Sequence, residues 1–293
     1  MNNSLKVGAV SGLITGFVFG ISTEFFFRIA VSMGLYEPWF RPISPNNVII
    51  NVPVGITFGI ILGIIYSKVY SLVPRRGIVK GLIYGLIIFF IYTVRIETFD
   101  LAYGRYLMVL GSYFTDPFAW LLFGLILGIL YDELLYGGQP RVKEEFRIIE
   151  YKMRSGLLPG GIAGCIGGLA AGISMVTVTA IGLLPDAPKT LTLEFFLSQA
   201  QSHILINMMW GVVFGAIFAK VYSLVPNKGV LKGLCYALII YLITSFQLGV
   251  WGTTWAVYHG ASLIAVMMAY GLFVVGSVNM IVYGLVLGAL YKK

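Results

Sequence analysis

Charge is scarce in this chain. Only 11% of its 293 residues are Asp, Glu, Lys or Arg, against about 25% in a soluble domain. Twelve acids and twenty bases cannot cover the surface of a water-soluble body of this length. Histidine and cysteine are rarer still, at two each. Cys165 and Cys235 lie in apolar runs, which leaves no disulfide framework and no CxxC metal motif. His203 and His259 show neither HxxxH nor HExxH spacing, and nothing pairs them as haem ligands. GxSxG elbows and phosphate-binding loops are missing as well. No catalytic residue, metal or cofactor is therefore expected. The net charge of +8 is spread as orientation signals, so nucleic acid is not an expected partner.

What is present in quantity is apolar. Hydrophobic residues make up 58% of the chain and come in long runs such as Val48–Tyr70 and Leu121–Leu130. A bilayer core asks for about 20 apolar residues per helix. The first run, after Met1–Lys6, exceeds the length of a signal-peptide core and reads as a retained span. Thirty-six glycines suit a membrane bundle, where they let backbones approach.

The chain repeats itself. Gly59–Ile88 aligns with Gly211–Ile240 at an offset of 152, with eighteen of thirty positions identical. At the centre, Lys68-Val-Tyr-Ser-Leu-Val-Pro74 recurs as Lys220-Val-Tyr-Ser-Leu-Val-Pro226. The same offset relates Gly8, Gly12, Gly16 and Gly20 to Gly160, Gly164, Gly168 and Gly172. Gly124–Gly128 matches Gly284–Gly288 at an offset of 160. The reading is two tandem membrane repeats, 1–140 and 157–293, joined by a charged linker, 141–156.

Each repeat is expected to be all-α with four spans. In the first these are Val7–Val31, Val48–Tyr70, Ile78–Arg95 and Pro117–Tyr136. In the second they are Leu157–Leu183, Phe196–Tyr222, Val230–Val250 and Gly271–Tyr291. Ile96–Thr115 and Trp251–Tyr270 mix aromatic, glycine and polar residues, and read as interfacial or re-entrant segments, with a fifth span in each half as the competing reading. With a cytoplasmic N-terminus, fifteen basic residues fall inside and five outside, which obeys the positive-inside rule. An even span number makes the repeats parallel, with both termini cytoplasmic and the cell membrane as the location.

The glycine ladders are packing faces, because a spacing of four leaves one side of a helix without side chains. Pro74-Arg-Arg-Gly77 and Pro226-Asn-Lys-Gly229 are tight turns, and their flanking Lys and Arg are orientation anchors near lipid headgroups.

Polar residues within spans are costly, so they carry the functional signal. Arg95 lies 15 residues beyond Lys80, roughly 22 Å along a helix. Asn51 and His203 occupy matched repeat positions, and Gln247 matches Arg95. Glu24 and Arg28 form an i,i+4 pair; Asn47 and Asn51 share a face, as do Gln199, His203 and Asn207. The expected path residues are Asn51, Arg95, Glu97, His203, Asn207 and Gln247, with Glu24, Arg28, Asn47 and Gln199 in support. They suggest transport or permeation of a small solute or ion through an outward-opening cavity between the repeats. The alternative is a non-catalytic integral subunit of a larger membrane complex. Expected partners are membrane lipid, and either partner membrane subunits or a second copy of the chain.

Overall fold

The computed structural model describes residues 3–36, 47–102, 104–136, 154–180, 193–258, 260 and 269–291. All regular structure among them is helical. The chain divides into two compact units, Met1–Ile148 and Ile149–Lys293. Most of the charged linker, 141–153, lies outside the described residues.

The first unit holds α1 (Asn3–Ser32), α2 (Asn47–Val69), α3 (Gly77–Phe89), α4 (Arg95–Ala102) and α5 (Tyr106–Tyr136). A π turn, Phe90–Val94, joins α3 to α4, so Gly77–Ala102 is one rod. The second unit holds α6 (Arg154–Ala180), α7 (Leu193–Val221), α8 (Gly229–Tyr241), α9 (Gln247–Tyr258) and α10 (Gly276–Leu290). Its π turns are Leu242–Phe246, between α8 and α9, and Ala269–Val275, which leads into α10. Eight rods of 20 to 31 residues are long and apolar enough to cross a membrane. At about 1.5 Å per residue even the shortest covers a ~30 Å hydrocarbon core. The architecture is that of a polytopic α-helical membrane protein.

Side-chain placement explains why these helices associate. Large apolar residues such as Leu158, Ile49 and Leu231 point outward, more than 60% exposed. Glycine, serine, threonine and asparagine turn inward. In lipid there is little hydrophobic gain from helix contact, so close packing and hydrogen bonds must supply the attraction. In the first unit Gly8, Gly12 and Gly16 of α1 lie against Gly63, Gly59 and Gly55 of α2. A Cβ at any of them would overlap the opposing carbonyl oxygen. Gly81 of α3 meets Gly124 of α5 in the same way. In the second unit Gly156 and Gly160 of α6 face Gly215 and Gly211 of α7, and Gly233 of α8 faces Gly284 of α10. Tyr84 of α3 donates to the Leu62 carbonyl at 2.9 Å, and Tyr236 of α8 to that of Phe214 at 2.7 Å. Each bond ties the two glycine-packed pairs of its unit together.

These contacts revise the correspondence of the first helices. Gly12 faces Gly59, whereas Gly160 faces Gly211, so α1 maps onto α6 at an offset of 148, not 152. The helix on the other side agrees. Phe19 stacks on Trp120 and Phe123 of α5, while Gly167, 148 residues later, abuts Asn279 and Tyr283 of α10. A ladder with glycine at every fourth position matches itself after a slip of four, which is why sequence alignment settles on the other offset.

Both Pro turns are closed by a buried lysine. Lys80 Nζ donates to the Tyr70 carbonyl at 2.8 Å and lies 3.7 Å from the centre of that tyrosine ring. Lys232 makes the same pair of contacts with Tyr222, at 2.8 and 3.9 Å. Lys80 is 3% exposed and Lys232 8%. Both therefore satisfy the carbonyl end of the preceding helix. Neither presents its charge to headgroups, as expected of flanking basic residues.

Two other expectations change. Ile96–Thr115 is no separate interfacial segment: Ile96–Ala102 completes the third rod and Tyr106–Thr115 opens the fourth. Gly104, with φ of +75°, makes the reversal between them, and Arg105 N–H closes it on the Asp100 carbonyl at 2.9 Å. Pro117 lies inside α5 and does not begin it. Of the polar residues that suggested an interface, Glu97 and Asp100 are buried in the unit, while Tyr106 and Tyr113 stay exposed. In the second unit Trp251–Tyr258 likewise continues α9; residues 259 and 261–268 lie outside the described set.

Candidate functional site

Within each unit one end carries the Pro turn. The polar residues gather toward the far end, in three groups.

The first joins α1 to α2. Glu24 is buried and accepts from Arg28 Nε at 2.8 Å and from Asn51 Nδ2 at 3.1 Å. Asn47 is a further hydrogen-bond partner of the same carboxylate. The Arg28 side chain remains 41% exposed. Asn51 thus spends its amide on holding Glu24. Here the expected path residue and its expected supporters form one helix-joining cluster.

The second group lies where the π turn interrupts the third rod, opposite Pro117 in α5. Arg95 and Glu97 are 6% and 4% exposed. The Arg95 guanidinium lies 5.8 Å from the Phe99 ring centre. Thr93 donates to Asp116 Oδ2 at 2.7 Å and Thr115 to Asp116 Oδ1 at 3.0 Å. The Tyr36 hydroxyl lies 3.4 Å from Thr115 Oγ1. Ser112 lies near both Tyr36 and the Glu97 carboxylate. Glu97 Oε2 is buried and has no hydrogen-bond partner among the described residues. Asp100 pairs with Arg105 at 3.1 Å at the edge of the group. Tyr36, in the turn after α1, is pushed up to about 12 by its own burial and by the negative charge of Asp116.

The third group belongs to the second unit. Asn279 Nδ2 of α10 donates to Asn207 Oδ1 of α7 at 2.7 Å, and Asn207 Nδ2 donates to the His203 carbonyl at 2.8 Å. The backbone of His203 packs on Gly168. Gln247 directly follows the second π turn, as Arg95 follows the first; it is 6% exposed, and its Oε1 has no hydrogen-bond partner among the described residues. The side chain of Gln199 lies outside the described residues, as does His259.

Within each unit the expected path residues stand in different surroundings. Asn51 and Asn207 bond helices together. Arg95, Glu97 and Gln247 stand at helix breaks. Among the partners that went unread in the sequence are Asn279, Ser112, Thr115 and Tyr36. Asn279 had a usable signal as the sole amide of an apolar span. Tyr36 and Ser112 had none, because hydroxyl side chains are ordinary in apolar helices and in the turns between them. Among the described residues no three His, Cys, Asp or Glu side chains are grouped to hold a metal ion. Comparison of the chain with family models, curated proteins and solved structures finds no match.

Proposed function

We propose that the protein carries a small solute or ion across the cell membrane, with both termini cytoplasmic. One observation carries this reading. In each unit the third rod breaks into a π turn and then places a buried polar side chain, Arg95 or Gln247, immediately after it. Irregular backbone at membrane depth persists where it is enclosed by protein or lines a wet cavity. π turns concentrate at functional sites, and an ionisable group buried in a span marks an ion or substrate path. The path we infer runs along α4 and α5 past Arg95 and Glu97, with Gln247 as its neutral counterpart in the second unit. The excess of basic residues on one side supports the orientation. The shared glycine and tyrosine contacts support two repeats.

Reconstitution into lipid vesicles tests it, with dyes reporting protons, alkali cations and chloride, and tracers for small neutral solutes. Wild-type protein is expected to pass at least one of these, and Arg95→Ala to reduce that flux at least tenfold. Vesicles that stay tight to all of them, or an undiminished flux in Arg95→Ala, would refute the assignment.

A second reading, an integral subunit of a larger assembly, is favoured by the Glu24–Asn51 and Asn207–Asn279 pairs, which spend polar groups on holding helices together. It predicts that gentle extraction yields a larger complex on a native gel. A lone monomer or homodimer would count against it.

A further inference from the structure

Two carboxyl groups in the first unit differ in how they are solvated. Asp116 receives a hydroxyl donor on each oxygen, Thr93 on Oδ2 and Thr115 on Oδ1. Glu97 is 4% exposed, and its Oε2 receives no donor from any described residue. Neither makes an ion pair with a described residue; the basic side chain in this group with a carboxylate partner, Arg105, is taken by Asp100. The titratable groups that face Glu97 are Asp100 and Asp116, along with the hydroxyls of Tyr36, Tyr92 and Tyr113. All are acidic. Hydrogen bonds to the charged form stabilise a carboxylate, while burial without them disfavours it. Two carboxylates so placed do not both keep their charge in a low dielectric. The pair needs one positive charge, and the Glu97 oxygen that receives no donor from a described residue is where it is needed.

Between the two carboxyls runs a chain of hydroxyls. Ser112 lies near Glu97 and near Tyr36. Tyr36 is 3.4 Å from Thr115, and Thr115 is 3.0 Å from Asp116. Each hydroxyl can accept a proton on one side and release its own on the other.

We propose that Glu97 and Asp116 share one proton, held on Glu97 at rest and exchanged with Asp116 through the hydroxyls of Ser112, Tyr36 and Thr115. The transfer is balanced. The Glu97 O–H bond breaks and an O–H bond to Asp116 forms. Each intervening oxygen gains one hydrogen as it loses another, so the chain ends neutral with its donors reversed. Such a pair offers α4 and α5 a proton-binding site, in keeping with two carboxyls tuned apart by their surroundings. Its use as a transport step rests on the transport reading above; the site itself does not.

Infrared spectroscopy of the purified protein in lipid reads the site without transport. The wild type at neutral pH is expected to show the carbonyl stretch of a protonated carboxylic acid, and Glu97→Gln to lack it. A hydrophobic carbodiimide, which attacks protonated carboxyls buried in membranes, is expected to label Glu97 and not Asp116 of the wild type by peptide mass spectrometry; this arm needs no variant to fold. An absent stretch, a stretch that survives in Glu97→Gln, or a label on Asp116 overturns the proposal. So does loss of the stretch on adding Na⁺ or K⁺ at fixed pH, which would make this a metal-cation site. A protonated Glu97 in vesicles that conduct nothing upholds the pair and removes the transport reading; flux without protonated Glu97 does the reverse.

Discussion

Gly12 and Gly59 touch backbone to backbone: a Cβ on either would overlap the carbonyl oxygen of the other. The same holds for Gly16 with Gly55 and, in the second unit, for Gly160 with Gly211. These contacts set the distance between α1 and α2, and hence where Glu24 and Asn51 meet.

Because the obstacle is backbone, which cannot swing aside, even alanine is too large. Gly12→Ala and Gly59→Ala are each expected to cost about 1–3 kcal/mol, the usual range for overpacking. Thermal unfolding in mild detergent reads the loss. Gly271→Ala, whose Cβ would meet nothing within 4 Å, serves as the control and should change little.

Lys80→Met and Lys232→Met keep much of the side-chain volume but remove the charged donor to the Tyr70 and Tyr222 carbonyls. A hydrogen bond to a charged group is worth about 1.5–3 kcal/mol, and a loss of that order is expected in each case. The exposed Lys228 is the comparison site. If Lys228→Met destabilises as much as Lys232→Met, the buried lysine is not what closes the turn.

Asn207 and Asn279 should be coupled. A double-mutant cycle with Asn207→Ala and Asn279→Ala is expected to return about 0.6 kcal/mol, reaching ~1.7 at the upper end for hydrogen bonds between membrane helices. Additive effects would show that the 2.7 Å contact contributes nothing to stability.

Tyr36 gives a dependence on alkaline pH. Its hydroxyl is pushed up to about 12, first by burial and then by Asp116. The neutral form is the one favoured in the fold, so its contribution is whole below the ordinary tyrosine range near pH ~10 and is lost as pH rises through about 12. An ultraviolet titration should show a tyrosine step at about pH 12, and Tyr36→Phe should remove that step. A Tyr36→Phe titration identical to wild type would place the late step elsewhere.

Much of this molecule is determined by composition. Long apolar runs with little charge have one stable home, a bilayer, and there a backbone must be helical to satisfy its own N–H and C=O groups. Eight spans, the Pro turns and the glycine faces follow from that. The sequence also locates the costly polar residues, since any charge within a span stands out. Other features depend on atoms that meet only after folding. A glycine ladder of period four fits its partner equally well in neighbouring registers, so only the contacts of Gly12 with Gly59 and of Phe19 with Trp120 decide the offset of 148. The polar stretch Ile96–Thr115 resembles a surface segment until α4 folds back on α5 and Thr115 meets Tyr36 from the turn after α1. Whether a buried polar group joins helices, as Asn51 and Asn207 do, or meets no donor among the described residues, as Glu97 Oε2 does, depends on what faces it, and in a helical bundle the facing residue comes from another helix.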